Sequence, residues 1–302
     1  ILYYILPAEF FSAAGSTINL SNFSSETHQM VSQFLGALWE YVLNKDEMVA
    51  ALADDVPLVP VSSNSHVYPL SKMSALYLPQ YNKDVAPHSL VQILQSVGAA
   101  TIDCDTIDPS KISSRTFLEY VNLPTRQGLL NVLGSLLRSD KDALINNVRR
   151  LNPSQKQEMV TYLATEGPVS SLLSADITTI RALPIFRSMW DEDSYIAPEQ
   201  ENSKCLSDYS NMDSSLFPPD FILHTTSHEL ALLERVGVVV KSRPQYFKQT
   251  FLPSLDEVFR SCISETGKAD IVINALLIML SEAKACADED STFMSYLRSV
   301  RF

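Results

Sequence analysis

Glycine is scarce in this chain. The 302 residues hold eight, and no two of them lie within three positions of each other. A dinucleotide fingerprint or a phosphate loop needs glycines in close series, because only a residue without Cβ lets the backbone come so near a phosphate. Gly128 and Gly134 are the nearest pair, and no lysine follows Gly134, so neither motif can be drawn. Cysteine is also sparse. Cys104, Cys205, Cys262 and Cys286 stand far apart without a Cys-x-x-Cys pair, which speaks against a zinc knuckle or a secreted disulfide framework and fits reduced cytosolic thiols. Basic residues are outnumbered, 23 Lys and Arg against 35 Asp and Glu, for a formal net charge of −12. The densest basic stretches are Arg149-Arg150 and 241–248, so a phosphate backbone is repelled and nucleic acid is not an expected partner. Long apolar runs are missing too. The opening Ile1-Leu2-Tyr3-Tyr4-Ile5-Leu6 is broken by Pro7 and Glu9 and lacks a basic flank, so it reads as neither a signal peptide nor a membrane span. A chain that starts inside such a run reads as a segment of something larger.

What the chain does have is apolar mass, 46% of its residues, enough for a substantial core. Ser24-Ser25-Glu26 can cap a helix whose apolar residues Met30, Val31, Phe34, Leu35, Leu38 and Val42 recur at threes and fours, ending near Asn44. A short helix at 46–52 precedes the acidic pair Asp54-Asp55. The prolines at 57, 60 and 69 then forbid a continuous helix while the valines favour extended backbone. Residues 58–61 and 66–70 read as a hairpin around Ser62-Ser63-Asn64-Ser65, with prolines at strand ends or edges. Pro87 opens a helix through Leu90, Val91, Leu94 and Val97 that Gly98 stops. A short strand at 100–104 follows, then helices at 114–121, 126–138, 140–150 and 154–164.

Gly167-Pro168 marks the seam between two lobes, 1–166 and 167–302. In the second lobe 180–186 reads as a strand, with Tyr195-Ile196-Ala197 as hairpin partner and Asp191-Glu192-Asp193 in the turn. Residues 199–220 read as a long surface loop with at most a short strand. A helix at 227–236 ends at Gly237, and 238–241 is a strand. Residues 245–264 form a helix bent at Pro253, and helices at 269–287 and 291–300 finish the chain. Ile271, Ala275, Leu276, Ile278 and Met279 form an inward stripe. The expected fold is α+β and predominantly helical, in two similar lobes, each a small proline-bearing hairpin or sheet packed with helices. Their likeness is one of element order with a variable loop, unlike a solenoid of fixed period.

Three stretches carry a resemblance. Ile180-Arg181-Ala182-Leu183-Pro184-Ile185-Phe186, then His228-Glu229-Leu230-Ala231-Leu232-Leu233 on to Gly237, then Tyr246-Phe247 on to Phe251-Leu252-Pro253, resemble the large repeats of the sacsin family. The stretch from Pro57 to Leu70 with Ser89 to Gly98 is similar to that family's Leu-Pro-Leu-x-Pro pattern. In that family a repeat begins with a nucleotide-binding module of the gyrase and heat-shock chaperone type. Its Glu-x-x-x-Asn-x-x-Asp-Ala helix and Asp-x-Gly-x-Gly turn do not occur here, so the chain resembles the non-ATPase part of a repeat. The resemblance implies a non-catalytic scaffold segment of a very large cytoplasmic chaperone concerned with protein quality control. Its implied partners are neighbouring segments of the same chain, chaperones, and intermediate-filament or other clients.

The residues themselves offer few sites for chemistry. His224 and His228, four apart and followed by Glu229, place two imidazoles on one helical face for a metal, but their order is not His-Glu-x-x-His, and a helix start capped by Thr226 or Ser227 is the simpler account. An enzyme, hydrolase or metal-dependent, using that pair is the rival reading. Asp103, Asp105 and Asp108 invite calcium, yet Asp108 and Ser114 stand where a calcium loop wants Gly and Glu, so a solvated turn is expected. Asp191-Glu192-Asp193 and Asp288-Glu289-Asp290 read as acidic turns or helix starts. There is no Gly-x-Ser-x-Gly elbow, and only Cys205, beside Lys204, has a basic neighbour; Cys104, Cys262 and Cys286 read as buried thiols. Tyr246, Phe247, Phe251 and Phe259, and Phe34, Leu38 and Tyr41 around Trp39, read as core, with a partner groove as the alternative. A third reading makes the chain a regulatory lobe that completes a neighbouring module's nucleotide site through Lys72 or Arg115. No catalytic, cofactor or metal residue is assigned.

Overall fold

Ser24 starts the first long helix as its sequence expects, its Oγ accepting the Thr27 amide at 3.2 Å. In the computed structural model, which describes residues 6, 17–53, 56–62, 65–71, 75–191, 193–199, 203–208, 212–255 and 268–300, that helix is α1 (Ser25–Val42). Val31, Leu35, Trp39 and Val42 form its buried face, while Met30 and Tyr41 are exposed. Trp39 sits at the centre of the first core. Its ring meets Phe117 edge-on at 5.5 Å, and its indole N–H donates to the Leu58 carbonyl at 2.7 Å, so a fully buried tryptophan keeps its polar atom paired.

The Leu58 carbonyl belongs to a three-stranded antiparallel sheet of β1 (Ile18–Asn19), β2 (Pro57–Pro60) and β3 (His66–Pro69), in the order β1-β3-β2. Prolines open and close β2, an edge strand, where half the amides point away from the ladder. The expected strand at 100–104 is reduced to single bridges, Val61 with Ile102 and Tyr77 with Thr101. A two-residue hairpin, β4 (Gln80–Tyr81) and β5 (Asp84–Val85), was not expected. The helices follow the sequence closely: α2 (Asp46–Leu52), α3 (His88–Ser96), α4 (Arg115–Tyr120), α5 (Arg126–Ser139), α6 (Lys141–Arg150) and α7 (Pro153–Thr165). Asp140 both ends α5, its amide bonding Leu136, and caps α6, its carboxylate accepting from Ala143.

The chain divides into two compact units, Ile1–Thr179 and Ile180–Phe302, a boundary later than the seam expected at 167. Arg126 gives the reason. Its buried guanidinium donates to the carbonyls of Leu163, Gly167 and Pro168 and to the Ser171 hydroxyl, at 3.3, 2.9, 2.7 and 2.8 Å. The Gly167-Pro168 turn is thereby fastened to α5 and belongs to the first unit. The boundary falls inside α8 (Ser174–Ala182), where 180–182 are helical instead of extended. Asp176 accepts the Leu173 amide at 2.8 Å, and Thr178 and Thr179 return their hydroxyls to carbonyls four residues back, so the polar groups are satisfied within the helix. Pro184 then ends it, having no amide to donate and disfavouring helical Leu183. Extended chain is confined to β6 (Phe186–Arg187), paired with the expected partner β7 (Tyr195–Ile196).

In the second unit the stretch 199–220 does hold one short strand, but its described residues are not all at the surface. It supplies β8 (Lys204–Leu206), parallel to β9 (Val239–Lys241), and buries Cys205, Leu206 and Phe217. Phe217 and Phe221 lie 4.8 and 5.7 Å from Tyr246, whose hydroxyl donates to the Leu216 carbonyl at 2.8 Å. The aromatic stripe of 246–251 is therefore core. It runs through α10 (Arg243–Tyr246) into a π turn, Phe247–Phe251, so the irregularity precedes Pro253 instead of falling on it. The expected last helices appear as α11 (Lys268–Ser281), α12 (Ala283–Glu289) and α13 (Phe293–Ser299), with a break at Glu282. Val272, Ala275 and Met279 face inward, and Ile271 and Ile278 are half-buried. Among the described residues no helix is long and apolar enough to cross a membrane.

Both units contain the same helix ending. After α3 the Gly98 amide bonds Gln95 and the Ala99 amide bonds Leu94; after α9 (Ser227–Arg235) Gly237 bonds Glu234 and Val238 bonds Leu233. The glycines have φ of +94° and +86°, the left-handed step this motif requires. The expectations placed on residues 1–5, Asp54, Asp55, Ser63, Asn64, Lys72, Glu192, Phe259 and Cys262 lie outside the described residues.

Leu183 and Phe186 are buried, so Leu183→Asp or Phe186→Asp places an unpaired carboxylate in apolar surroundings at a cost of several kcal/mol. Either variant is expected to lose the second unit's cooperative transition in urea. Arg126→Ala removes the donors that Arg126 gives to the Leu163 and Gly167 carbonyls, while Ser171 still bonds Pro168, and is expected to lower the first unit's stability by roughly 3 kcal/mol, read from the urea midpoint.

Candidate functional site

Four stretches of the first unit surround a cleft of about 600 Å³. The start of α1 contributes His28 and Ser32, and the β2–β3 hairpin contributes Ser62 and His66. The approach to α3 contributes Gln80 and His88, and the turn after Ile102 contributes Asp103, Cys104 and Asp105. The floor is apolar, with Leu35, Val61 and Ile102 all buried. Asp103 shapes the turn. One carboxylate oxygen accepts the Asp105 amide at 3.1 Å, the other accepts the Thr106 hydroxyl at 2.6 Å, and its carbonyl accepts the Ile107 amide. His88 begins α3, and its ring nitrogen lies 3.0 Å from the Gln92 amide nitrogen.

Cys104 is half-buried against this turn. Burial pushes its thiol up to about 11, and the charges of Asp103 and Asp105 push the same way, so it stays protonated near neutral pH and is a poor nucleophile. Among the described residues no group of three His, Cys, Asp or Glu side chains can hold a metal ion. The three imidazoles thus share a rim without closing on a common centre. Sequence reading singled out Asp103 and Asp105 as a turn but missed His28, His66 and His88, because they sit on separate elements with no local spacing to link them. The third aspartate of that run goes elsewhere: Asp108 accepts the Ser110 amide and hydroxyl and caps the turn Pro109–Lys111.

The other candidates serve the backbone. His224 is buried, and its Nε2–H donates to the Leu206 carbonyl at 2.8 Å, whereas His228 is exposed on the first turn of α9. Glu229 is buried and accepts the Thr225 amide and hydroxyl at 2.6 and 2.9 Å, while Thr226 caps the helix as expected. Asp191 accepts the Asp193 amide in the β6–β7 turn. Lys204 pairs with Asp220 at 2.7 Å, and burial pushes the Cys205 thiol up to about 12. Cys286 is buried too, its thiol shifted upward by burial. Arg115 is exposed at the first position of α4. Asp290 caps the chain before α13 and accepts Lys248 from the π turn at 2.8 Å. No family model matches the chain, and no curated protein or solved structure matches it either.

The Lys248 and Thr292 hydrogen bonds hold the Asp290 carboxyl down at about 2, from an ordinary value of 3.8. A carboxyl whose folded value is lowered stabilises the fold above its unfolded value, and that stability is lost as pH falls through the folded value. The second unit is expected to lose thermal stability between about pH 4 and pH 2, and Asp290→Asn is expected to flatten that part of a melting-temperature profile.

Proposed function

We propose that this chain is a non-catalytic scaffold and interaction segment of a very large sacsin-like chaperone. In this reading it works in the cytoplasm, beside neighbouring segments of the same polypeptide and in contact with chaperone or intermediate-filament partners. The observation that carries it is where the ionisable side chains go. Arg126, Asp103, Asp140, Asp176, His224 and Glu229 each bind backbone groups that the short elements leave open. Side chains used in this way position backbone and leave little for a reacting atom. The residues of the resemblance support the same view, since Leu183, Phe186, Leu232, Leu233, Tyr246, Phe247 and Phe251 are all buried packing residues.

Two measurements test the proposal. The purified chain, incubated with peptide, ester and phosphate-monoester substrates with and without added zinc or magnesium, is expected to give no turnover above buffer. It is also expected to sediment with assembled intermediate filaments. Turnover lost on His224→Ala or His228→Ala, or stoichiometric zinc in the purified chain, would replace this reading with the metal-dependent enzyme.

A further inference from the structure

We propose that the outward face of α11 pairs antiparallel with the same face of a second copy of this chain. Such pairing goes beyond the scaffold reading and does not depend on it. A helix at the surface of a folded protein ordinarily keeps its apolar residues on the side that meets the core and turns polar residues to water. In α11 (Lys268–Ser281) that division fails. Val272, Ala275 and Met279 enter the second core, yet Ile273, Leu277 and Leu280 on the opposite side are 48%, 58% and 53% accessible. From Ile271 to Ser281 the sequence holds no charged residue that would keep that side in water. On one flank of this ridge, α11 and the stretch 212–216 enclose a groove of about 680 Å³ with Met212, Leu216, Ile271 and Ile278 in its walls. Ridge and groove lie side by side on one surface. A two-fold interface needs that arrangement, since each copy must offer what the other receives.

Spacing and charge fix the register. Asp270, Ile273, Leu277, Leu280 and Lys284 stand three and four residues apart in turn, the interval that keeps one seam facing a partner helix, and all five are exposed. The seam crosses into α12 (Ala283–Glu289) at Glu282, whose amide bonds the Ile278 carbonyl while the Cys286 amide bonds its own carbonyl, so the helical path carries on through the break. Its two ends carry opposite charge, Asp270 at one and Lys284 at the other, and neither side chain forms an ion pair among the described residues. The charges nearby are already taken, Glu282 by Arg243 and Asp290 by Lys248, each at 2.8 Å. Parallel copies would set aspartate against aspartate and lysine against lysine. Antiparallel copies set Asp270 against Lys284 of the second copy twice, with the two Leu277 side chains meeting at the two-fold axis. Three exposed apolar side chains fall short of the roughly 800 Å² per partner of a standard interface, so the dimer is expected to be weak and concentration-dependent.

The test is sedimentation equilibrium of the full chain at low salt over a range of concentrations. The parent is expected to associate to a dimer. Leu277→Glu should weaken the dimer about tenfold, whereas Leu173→Glu, at a similarly exposed leucine of the first unit, should leave it unchanged. Asp270→Lys and Lys284→Glu should each weaken it roughly fivefold, and the double variant should recover the parent's affinity. Net charge alone gives the opposite result for the first of these, because Asp270→Lys lowers the repulsion between two copies of charge −12 and would tighten them. On mild oxidation Leu277→Cys should cross-link the dimer, while the parent should not, nor should Asp270→Cys, which antiparallel pairing holds far from its counterpart. Melting curves establish that each variant is folded. A monomer at every concentration overturns the proposal and leaves the face to another chain, and a dimer untouched by Leu277→Glu overturns it as well. Weakening by both charge variants without recovery in the double, or cross-linking of Asp270→Cys, overturns the antiparallel register. None of these outcomes bears on turnover or filament binding, so the scaffold reading stands or falls separately.

Discussion

Each helix leaves amides at its start and carbonyls at its end without partners, and a chain broken into many short elements multiplies that deficit. Strands of two to four residues make it worse, since they pair too little backbone to stand alone. The fold depends on meeting this demand with side chains. Ser24, Asp140, Asn152 and Thr226 serve helix starts, and Arg126 gathers carbonyls at the end of α7. Asp46 links two helices, its carboxylate accepting the Ser114 hydroxyl and the Thr116 amide at the start of α4. The apolar cores around Trp39 and Tyr246 then pack elements whose polar ends are already satisfied.

The same constraint explains what could be read from the sequence. Caps and glycine endings are local, so Ser24, Thr226, Gly98 and Gly237 announced the helix boundaries beside them within a residue or two. Proline placed the strands of the first hairpin, because its missing amide restricts it to ends and edges. Composition misled where tertiary contacts decide. The apolar run 180–186 has the look of a strand, yet Asp176 and the two threonines complete a helix that reaches into it. The polar stretch 199–220 hid Cys205, Leu206 and Phe217, whose burial depends on partners far along the chain. The cleft was the least legible feature, since its histidines come from three elements and only the fold makes them neighbours.

Charge has two separate roles in this molecule. Pairs such as Lys248 with Asp290 and Lys204 with Asp220 join segments that are distant in sequence. These pairs are half-buried, and they fix where the segments that carry them attach. The net charge of −12 repels polyanions and attracts basic groups over a distance set by ionic strength.

The two tryptophans fall one to each unit. Trp39 is sealed in the first core with 0% of its surface accessible, while Trp190, beside the acidic turn of the second unit, is 52% accessible. One indole is shielded from dissolved quenchers and the other meets them directly. Intrinsic fluorescence therefore gives each half its own colour and its own response to iodide, and the melting of either half can be followed in the unlabelled protein.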